Sequence, residues 1–229
     1  MSTIGEIVKD SSPAVRPQRQ TLEGRFVVLE PLNPVVHGDA LYHGMHGPDC
    51  DELWRYLFEG PFPDRSTFDT HLEQASASED PLFFAMVDRA SSLAVGQAAY
   101  LRADLVHKVI EVGHILFTPK LQRTIGATEA MFLMAQHVFN LGYRRYEWKC
   151  NSLNAPSVRA ARRLGFTFEG VFRQHMIVKG RNRDTAWFSM LDSEWPKCRA
   201  NFERWLDPDN FDREGHQKVS LAEMNFRES

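Results

Sequence analysis

Apolar and polar positions alternate through RFVVLEPL, residues 25–32, a two-residue period that predicts a strand closed by Asn33-Pro34. Two short helical patterns follow, His37–Met45 and Asp49–Phe58. Ser66-Thr67-Phe68-Asp69 reads as a capping-box start, and Phe68, Leu72 and Ala75 continue one helical face to about Ala77. Three strands are then predicted, Leu82–Val87, Leu93–Leu101 and Val109–Phe117, the last stopped by Thr118-Pro119. Their short connections suggest an antiparallel meander.

The period changes again at Thr128. From there to Leu141 the chain is apolar around much of a helix, with Gly142 placed as its C-terminal stop. Tyr143–Cys150 reads as a strand, Ala155–Leu164 as a helix, and Thr167–Val178 with Asp184–Leu191 as a long hairpin turning at Lys179-Gly180-Arg181-Asn182. Strand, helix, strand, helix, strand implies an α/β centre. Ser193 is expected to cap a last helix with Trp195, Cys198, Phe202, Trp205 and Leu206 on one side. Residues 1–20 lack periodicity and are expected to form a mobile arm; 21–191 read as the domain, and 192–229 as a C-terminal helix and polar tail.

Composition removes several function classes. Lys and Arg number 27 against 30 Asp and Glu, a net charge of -3, so nothing favours broad contact with nucleic acid or an acidic membrane. Cys50, Cys150 and Cys198 are far apart without a CxxC, which argues against a disulfide framework or zinc knuckle. No signal-peptide core and no membrane-length apolar run is present, and the expected location is the cytoplasm. His43, His46, Asp49 and Cys50 lie at short spacing, but two glycines and a proline interrupt any helix that would aim them, so no metal is expected.

The densest signal is NSLNAPSVRAARRLGFTFEG, Asn151–Gly170. Asn154 is suited to N-cap a helix whose first turn tolerates Pro156, because the N–H that proline lacks would have no intrahelical partner there. Ser157, Ala160, Ala161 and Leu164 form a narrow face, Arg159, Arg162 and Arg163 project elsewhere, and Gly165 ends the helix. All this is equally a description of an ordinary amphipathic helix.

In order and spacing, however, the stretch resembles the Asn-x-x-Ser…Leu-Gly-Phe…Glu-Gly signature of the GNAT superfamily of N-acetyltransferases, in its RimJ/RimL-like branch. Glu111–Pro119 resembles that family's fourth strand and Gln122–Ala130 its pyrophosphate loop, so the resemblance runs from about Leu22 to Leu191. It implies an α+β fold in α/β/α layers: a mixed, mostly antiparallel sheet of six to seven strands, helices on both faces, and a V-shaped splay between strands four and five. It also implies acetyl-coenzyme A as cosubstrate and a primary amine as acceptor, either a small molecule or a protein N-terminus, with direct transfer in a ternary complex. A monomer or homodimer is expected, with no nucleic-acid or membrane partner.

The resemblance assigns residues as well. Backbone N–H groups of Leu116, Phe117 and Thr118 would polarise the thioester, and Gln122, Arg123, Thr124, Ile125, Gly126, Ala127 and Thr128 would hold the pyrophosphate, as a helix start suits an anion. The loop pattern, Gln/Arg-x-x-Gly-x-Gly/Ala, fits in two registers: one starts at Gln122 with Ile125 in place of a glycine, the other starts at Arg123 and puts Thr128 last. Either lacks one small residue, which motivates the alternative of a non-catalytic acyl-coenzyme A-binding module. Asn154 would meet the pantetheine arm and Ser157 the leaving sulfur. Glu111 is the first candidate base and His114 the second; on a regular strand, three positions apart, they face opposite ways unless a bulge intervenes. Trp54, Tyr56, Phe58 and Phe62 are the candidate acceptor-pocket residues, and the basic hairpin Arg173–Trp187 could attract an acidic acceptor or partner.

Overall fold

In the computed structural model, which describes residues 5–47 and 50–226, eight strands form one sheet in the order β1-β2-β3-β4-β5-β6-β8-β7. They are β1 (Leu22–Glu23), β2 (Val27–Pro31), β3 (Leu82–Asp88), β4 (Ala94–Asp104), β5 (Val109–Phe117), β6 (Arg145–Asn151), β7 (Thr167–Val178) and β8 (Arg181–Leu191). Every neighbouring pair is antiparallel except β5 and β6. The sheet is therefore mixed and mostly antiparallel, as expected, with the two-residue β1 bringing the strands to eight.

Helices cover both faces. On one, α1 (Pro34–Met45), a 3-10 turn at Asp51–Trp54 and α2 (Arg65–Ala77) pack Leu41, Met45, Trp54, Phe68 and Leu72 against Phe83, Ala85, Ala99 and Leu116. On the other, α3 (Ile125–Asn140), α4 (Ala155–Arg163), α5 (Trp195–Leu206) and α6 (Leu221–Phe226) bury the larger core, in which Met131, Met134, Val138 and Phe202 join Leu29, Phe84, Tyr100, Val112, Tyr146 and Phe188. Full burial of each large side chain stabilises by about 1.5–3 kcal/mol, so the sheet is gripped from both sides.

One buried carboxylate aims the start of α3. Glu129 is 6% exposed and accepts from the backbone N–H groups of Arg25 (2.8 Å), Phe26 (2.6 Å) and Val27 (2.9 Å), which pins the helix to the turn before β2. Gly126 lets that contact close: a Cβ there would lie 2.9 Å from Val27 Cγ1.

Several boundaries differ from the sequence reading. α3 begins at Ile125, a turn before Thr128, because Thr124 caps it by accepting from the Ala127 N–H. α2 is capped by Asp64, which accepts from the Thr67 N–H, and Ser66 lies inside the helix. Ser193 does not cap α5: Glu194 holds that position and its carboxylate instead accepts from the Leu191 N–H. The Asp49–Phe58 pattern shortens to the 3-10 turn, and Asp49 itself lies outside the described residues.

Residues 10–15 and 221–225 are docked on the domain. The Ala14 N–H donates to Leu105 O, the Val15 N–H to Leu141 O, and Lys108 Nζ to Asp10 O at 2.9 Å. At the other end Leu221 and Met224 are buried, and Asn225 Nδ2 donates to Arg163 O, closing the C-terminal end of α4.

Candidate active site

The parallel β5–β6 pair holds only from Val109↔Arg145 to Val112↔Trp148. Beyond it, Gly113–Phe117 pairs with β4 alone and Lys149–Asn151 with β8 alone, so the facing edges diverge with their backbone groups unpaired by any strand. The Thr118 N–H and its Oγ1 both donate to Val95 O, which turns Thr118 toward β4. Backbone direction alternates along a strand. Leu116 thus faces β4 as well, and Phe117 presents its N–H to the opening, where its carbonyl accepts from Gln122 Nε2 at 3.1 Å. Of the three N–H groups expected to polarise a carbonyl, geometry leaves Phe117.

A bulge decides which side chains line the cleft. The β4–β5 register slips between Gln97↔Leu116 and Ala99↔Gly113, and His114 takes φ +49° at the inserted position. The extra residue returns His114 to the face of Glu111. Gly113, paired with Ala99 of the smaller core, would place a Cβ 3.6 Å from Glu111 Oε1, while the His114 ring lies 5.0 Å from Phe83 of that same core.

The two candidate bases nevertheless have different surroundings. Glu111 is 4% exposed and ion-paired to Arg102 Nη1 (2.6 Å) and Lys149 Nζ (2.9 Å). Lys149 also meets Glu147 (2.7 Å) and lies 3.8 Å over the Trp187 ring; Arg145 then links Glu147 (2.7 Å) to Glu169 (2.5 Å). A carboxylate engaged by two cations anchors a network and is poorly placed to accept a substrate proton. Among the described residues His114 forms one ion pair, from Nδ1 to Glu59 Oε2 at 3.6 Å, and the imidazole holds the Glu59 carboxyl below its ordinary value, with His71 close enough to act on both. The Glu59 contact uses Nδ1 and leaves Nε2 without an ion pair among the described residues.

Two helices start at the mouth of the splay. At α3, Ile125 and Gly126 are the first two helical residues, whose N–H groups have no intrahelical acceptor. Arg123 turns the chain into them with φ +62°. Ile125, which stands where one register wants glycine, packs its side chain against the larger core and leaves the backbone clear. At α4, Asn154 caps as expected by accepting from the Ser157 N–H at 3.2 Å. Ser157 Oγ accepts from Trp148 Nε1 at 3.0 Å and also bonds the Cys150 thiol, whose pKa burial pushes up and this bond draws down.

The acetyltransferase (GNAT) domain family matches residues 27–167. The chain belongs to the GNAT family. It is an enzyme of the N-acetyltransferase class, and solved structures agree. A GCN5-related N-acetyltransferase from Brucella melitensis is 51% identical with a TM-score of 0.93, covering 95% of this chain and 99% of its own. A probable GNAT acetyltransferase from Chromobacterium violaceum is 42% identical with a TM-score of 0.79, over 86% and 98% of the two chains. The microcin C7 self-immunity acetyltransferase MccE, solved with acetyl-CoA and AMP, shares the fold at 20% identity and a TM-score of 0.65, over 73% and 93%. No curated protein matches.

Within this GNAT chain the four pocket aromatics divide. Trp54 is 1% exposed, donates from Nε1 to Met45 O, and packs with Phe62 in the smaller core. Tyr56 and Phe58 border the cleft: Tyr56 Oη donates to Leu153 O at 3.2 Å, and the Phe58 ring lies 5.9 Å from that of His114. Lys179, at the hairpin tip, donates to Trp54 O at 2.8 Å, so the hairpin reaches across to the same loop. Among the described residues no group of His, Cys, Asp and Glu is arranged to hold a metal, and no helix is long and apolar enough to cross a membrane. His43 and His46 each point Nδ1 at a carbonyl one turn back, Asp39 O and Tyr42 O. Of the three arginines of α4, Arg163 is drawn inward, donating to Thr128 Oγ1 at 3.1 Å, while Arg159 and Arg162 stay exposed. Glu59 was not marked by any sequence pattern, since it is a lone charge in a segment without a motif, and Arg183 was marked only as one of several basic residues of the Arg173–Trp187 hairpin.

Proposed function

We propose that this GNAT enzyme transfers the acetyl group of acetyl-coenzyme A to a primary amine by direct attack, with His114 accepting the amine proton. The observation that carries this is the bulge that turns His114, backed by Glu59, into the splay between β5 and β6. The order of events follows from charge. The coenzyme's pyrophosphate is met by the open N–H groups of Ile125 and Gly126, and its pantetheine arm lies along the unpaired edge near Asn154. The thioester oxygen takes the Phe117 N–H as negative charge develops on it.

His114 Nε2 takes a proton from the substrate ammonium, which frees the nitrogen lone pair; the neutral amine attacks the thioester carbon to form the N–C bond, the tetrahedral intermediate collapses with cleavage of the C–S bond, and the second proton on nitrogen passes to solvent. The Ser157 hydroxyl, which accepts from Trp148 and bonds the Cys150 thiol, would turn its hydrogen from that thiol to the departing thiolate, which finally takes a proton from solvent. The RimJ/RimL-like assignment rests on the Asn154–Gly170 motif, and leaves a small amine or a protein N-terminus as acceptor.

Calorimetric titration with acetyl-coenzyme A, paired with a thiol-release assay over an amine panel, tests the reading. His114→Gln should lower kcat by about a hundredfold or more with the coenzyme Kd unchanged. Wild-type turnover in that variant would move the proton to another group, and absence of coenzyme binding in the wild type would sink the proposal.

A further inference from the structure

β8 places a cation in the cleft wall that the protein itself does not balance. Arg183 is 6% exposed, and its guanidinium carbon lies 5.0 Å over the Phe58 ring. Among the described residues its hydrogen-bond partner is Thr185 Oγ1, reached by Nε at 3.3 Å, and it forms no ion pair with a carboxylate. Thr185 is neutral and is also bonded to His175 Nδ1 at 2.9 Å. A guanidinium offers five N–H donors and does not surrender its charge, so both terminal nitrogens of Arg183 are left to seek an acceptor.

The neighbouring charges do not supply it. From Arg102 through Glu111, Lys149, Glu147 and Arg145 to Glu169, cation and carboxylate alternate one for one, so that chain is neutral and Arg183 stands outside it. Burial also pulls the Arg183 pKa down, and the more distant attraction of Cys150 and Glu111, the latter opposed by Arg102, does not offset it. Desolvating an unpaired charge costs several kcal/mol in the free protein, a cost that a bound anion would offset. The Phe58 ring separates Arg183 from His114, 5.0 Å from one and 5.9 Å from the other, so an anion on Arg183 is within a short spacer of an amine at His114.

We propose that Arg183 determines acceptor specificity by binding a carboxylate carried on the amine substrate, with Phe58 as the shelf beneath the spacer. This rests on the acetyl-transfer reading above. Two parallel N–H···O bonds from the terminal nitrogens would hold the carboxylate as a fork holds a fork. The preferred acceptor is therefore an amino acid or a peptide-like ω-amino acid rather than a simple polyamine.

The test uses ω-amino acids from glycine to 6-aminohexanoate, each beside its carboxamide, in the thiol-release assay. Wild type should favour at least one acid over its amide by about ten- to a hundredfold in kcat/KM, mostly through KM. Arg183→Met should equalise the pair with the acetyl-coenzyme A Kd unchanged, and Arg183→Lys should restore part of the preference. A coenzyme Kd weakened by Arg183→Met would instead assign the arginine to coenzyme phosphate and overturn the proposal. Equal treatment of acids and amides by wild type, or a preference that survives Arg183→Met, would overturn it as well. Titration of the N-acetylated acids and amides, with and without coenzyme A, reads the same selectivity without turnover. A wild type that ignores acetyl-coenzyme A then sinks the transfer reading alone, while acid-selective binding still decides Arg183. The ligand-free Arg183→Met melting temperature should equal or exceed that of wild type; a lower one would make Arg183 a structural cation.

Discussion

The helices α3 and α4 both begin at the splay and both are capped by a side chain that accepts the third N–H, Thr124 for Ala127 and Asn154 for Ser157. Their remaining donors differ. At α3 the first two N–H groups, of Ile125 and Gly126, have no partner by position. At α4 the Ala155 N–H already donates to Leu153 O, and Pro156 has none to offer. One helix start is open to an anion and the other is closed, although the closed one carries the denser sequence motif. The open start suits a diphosphate; the closed one suits a neutral, hydrogen-bonding stretch of ligand, which is the division of labour proposed for pyrophosphate and pantetheine.

Closing the open start should have the largest effect. Proline is well tolerated at the first helical position, so Ile125→Pro keeps α3 while deleting one donor. Loss of a hydrogen bond to a charged group costs about 1.5–3 kcal/mol, which predicts a ten- to hundredfold weaker acetyl-coenzyme A Kd by calorimetry. An unchanged Kd would mean that the diphosphate is held elsewhere and that the contrast between the two starts has no functional meaning.

The caps offer a finer test, because they are equivalent for folding and unequal for binding. Thr124→Ala and Asn154→Ala should each lose about 1 kcal/mol of stability in denaturant titration. Thr124→Ala also frees the Ala127 N–H at the open start, so it should bind acetyl-coenzyme A no worse than wild type. Asn154→Ala should bind it less well. Equal binding losses in both variants would show that the caps act only through helix stability.

How much of this was legible follows from the range of each determinant. Asn154, Pro156 and Gly165 specify α4 within one helix, and local chemistry marked them without ambiguity. Val109–Phe117 was bounded correctly because alternation and Thr118-Pro119 are local too. The bulge at His114 could be raised only as a condition and not placed, since it is a count of residues across two strands and Gly113-His114 carries no mark of it. The same reason hides the ion pairs of Glu111 with Arg102 and Lys149, residues on two other strands. Trp54 and Phe58 share a spacing that cannot tell core from cleft; only the packing of α1 and α2 separates them. Arg183 lay within a basic hairpin read as able to attract an acidic acceptor or partner, and its burial emerges only when the hairpin pairs it with Met176 and sets it over the Phe58 ring.

A pH dependence distinguishes the two starts further. The Cys150 thiol lies beneath the first turn of α4, and burial raises its pKa above the ordinary 9.0 despite the Ser157 bond. Above pH 9 the unfolded chain then releases a proton that the folded chain keeps, so the unfolded state binds fewer protons and stability falls as pH rises. Cys198, pushed up to about 11 by burial, acts with the same sign. Ser157→Ala removes the bond that draws Cys150 down and should steepen the alkaline loss of melting temperature from about pH 9. Ile125→Pro should leave that slope unchanged, because no titrating side chain is bonded at the open start. A slope altered equally by both variants would show that the two helix starts are coupled through the cleft rather than independent.

The smallest effect is expected from opening the closed start. Pro156→Ala restores an N–H at the second position of α4 and relaxes the fixed φ of proline, which in the unfolded chain costs about 0.4–1 kcal/mol of stability. The new donor lies beside Asn154, whose oxygen is already given to Ser157, and beside an Ala155 N–H given to Leu153. A single added N–H does not rebuild the pair that Ile125 and Gly126 present, so the acetyl-coenzyme A Kd should move by less than about twofold, or roughly 0.4 kcal/mol. A clear tightening would mean that anion affinity depends on each free N–H separately; no change would mean that it depends on two adjacent ones acting together, which is the arrangement the α3 start provides.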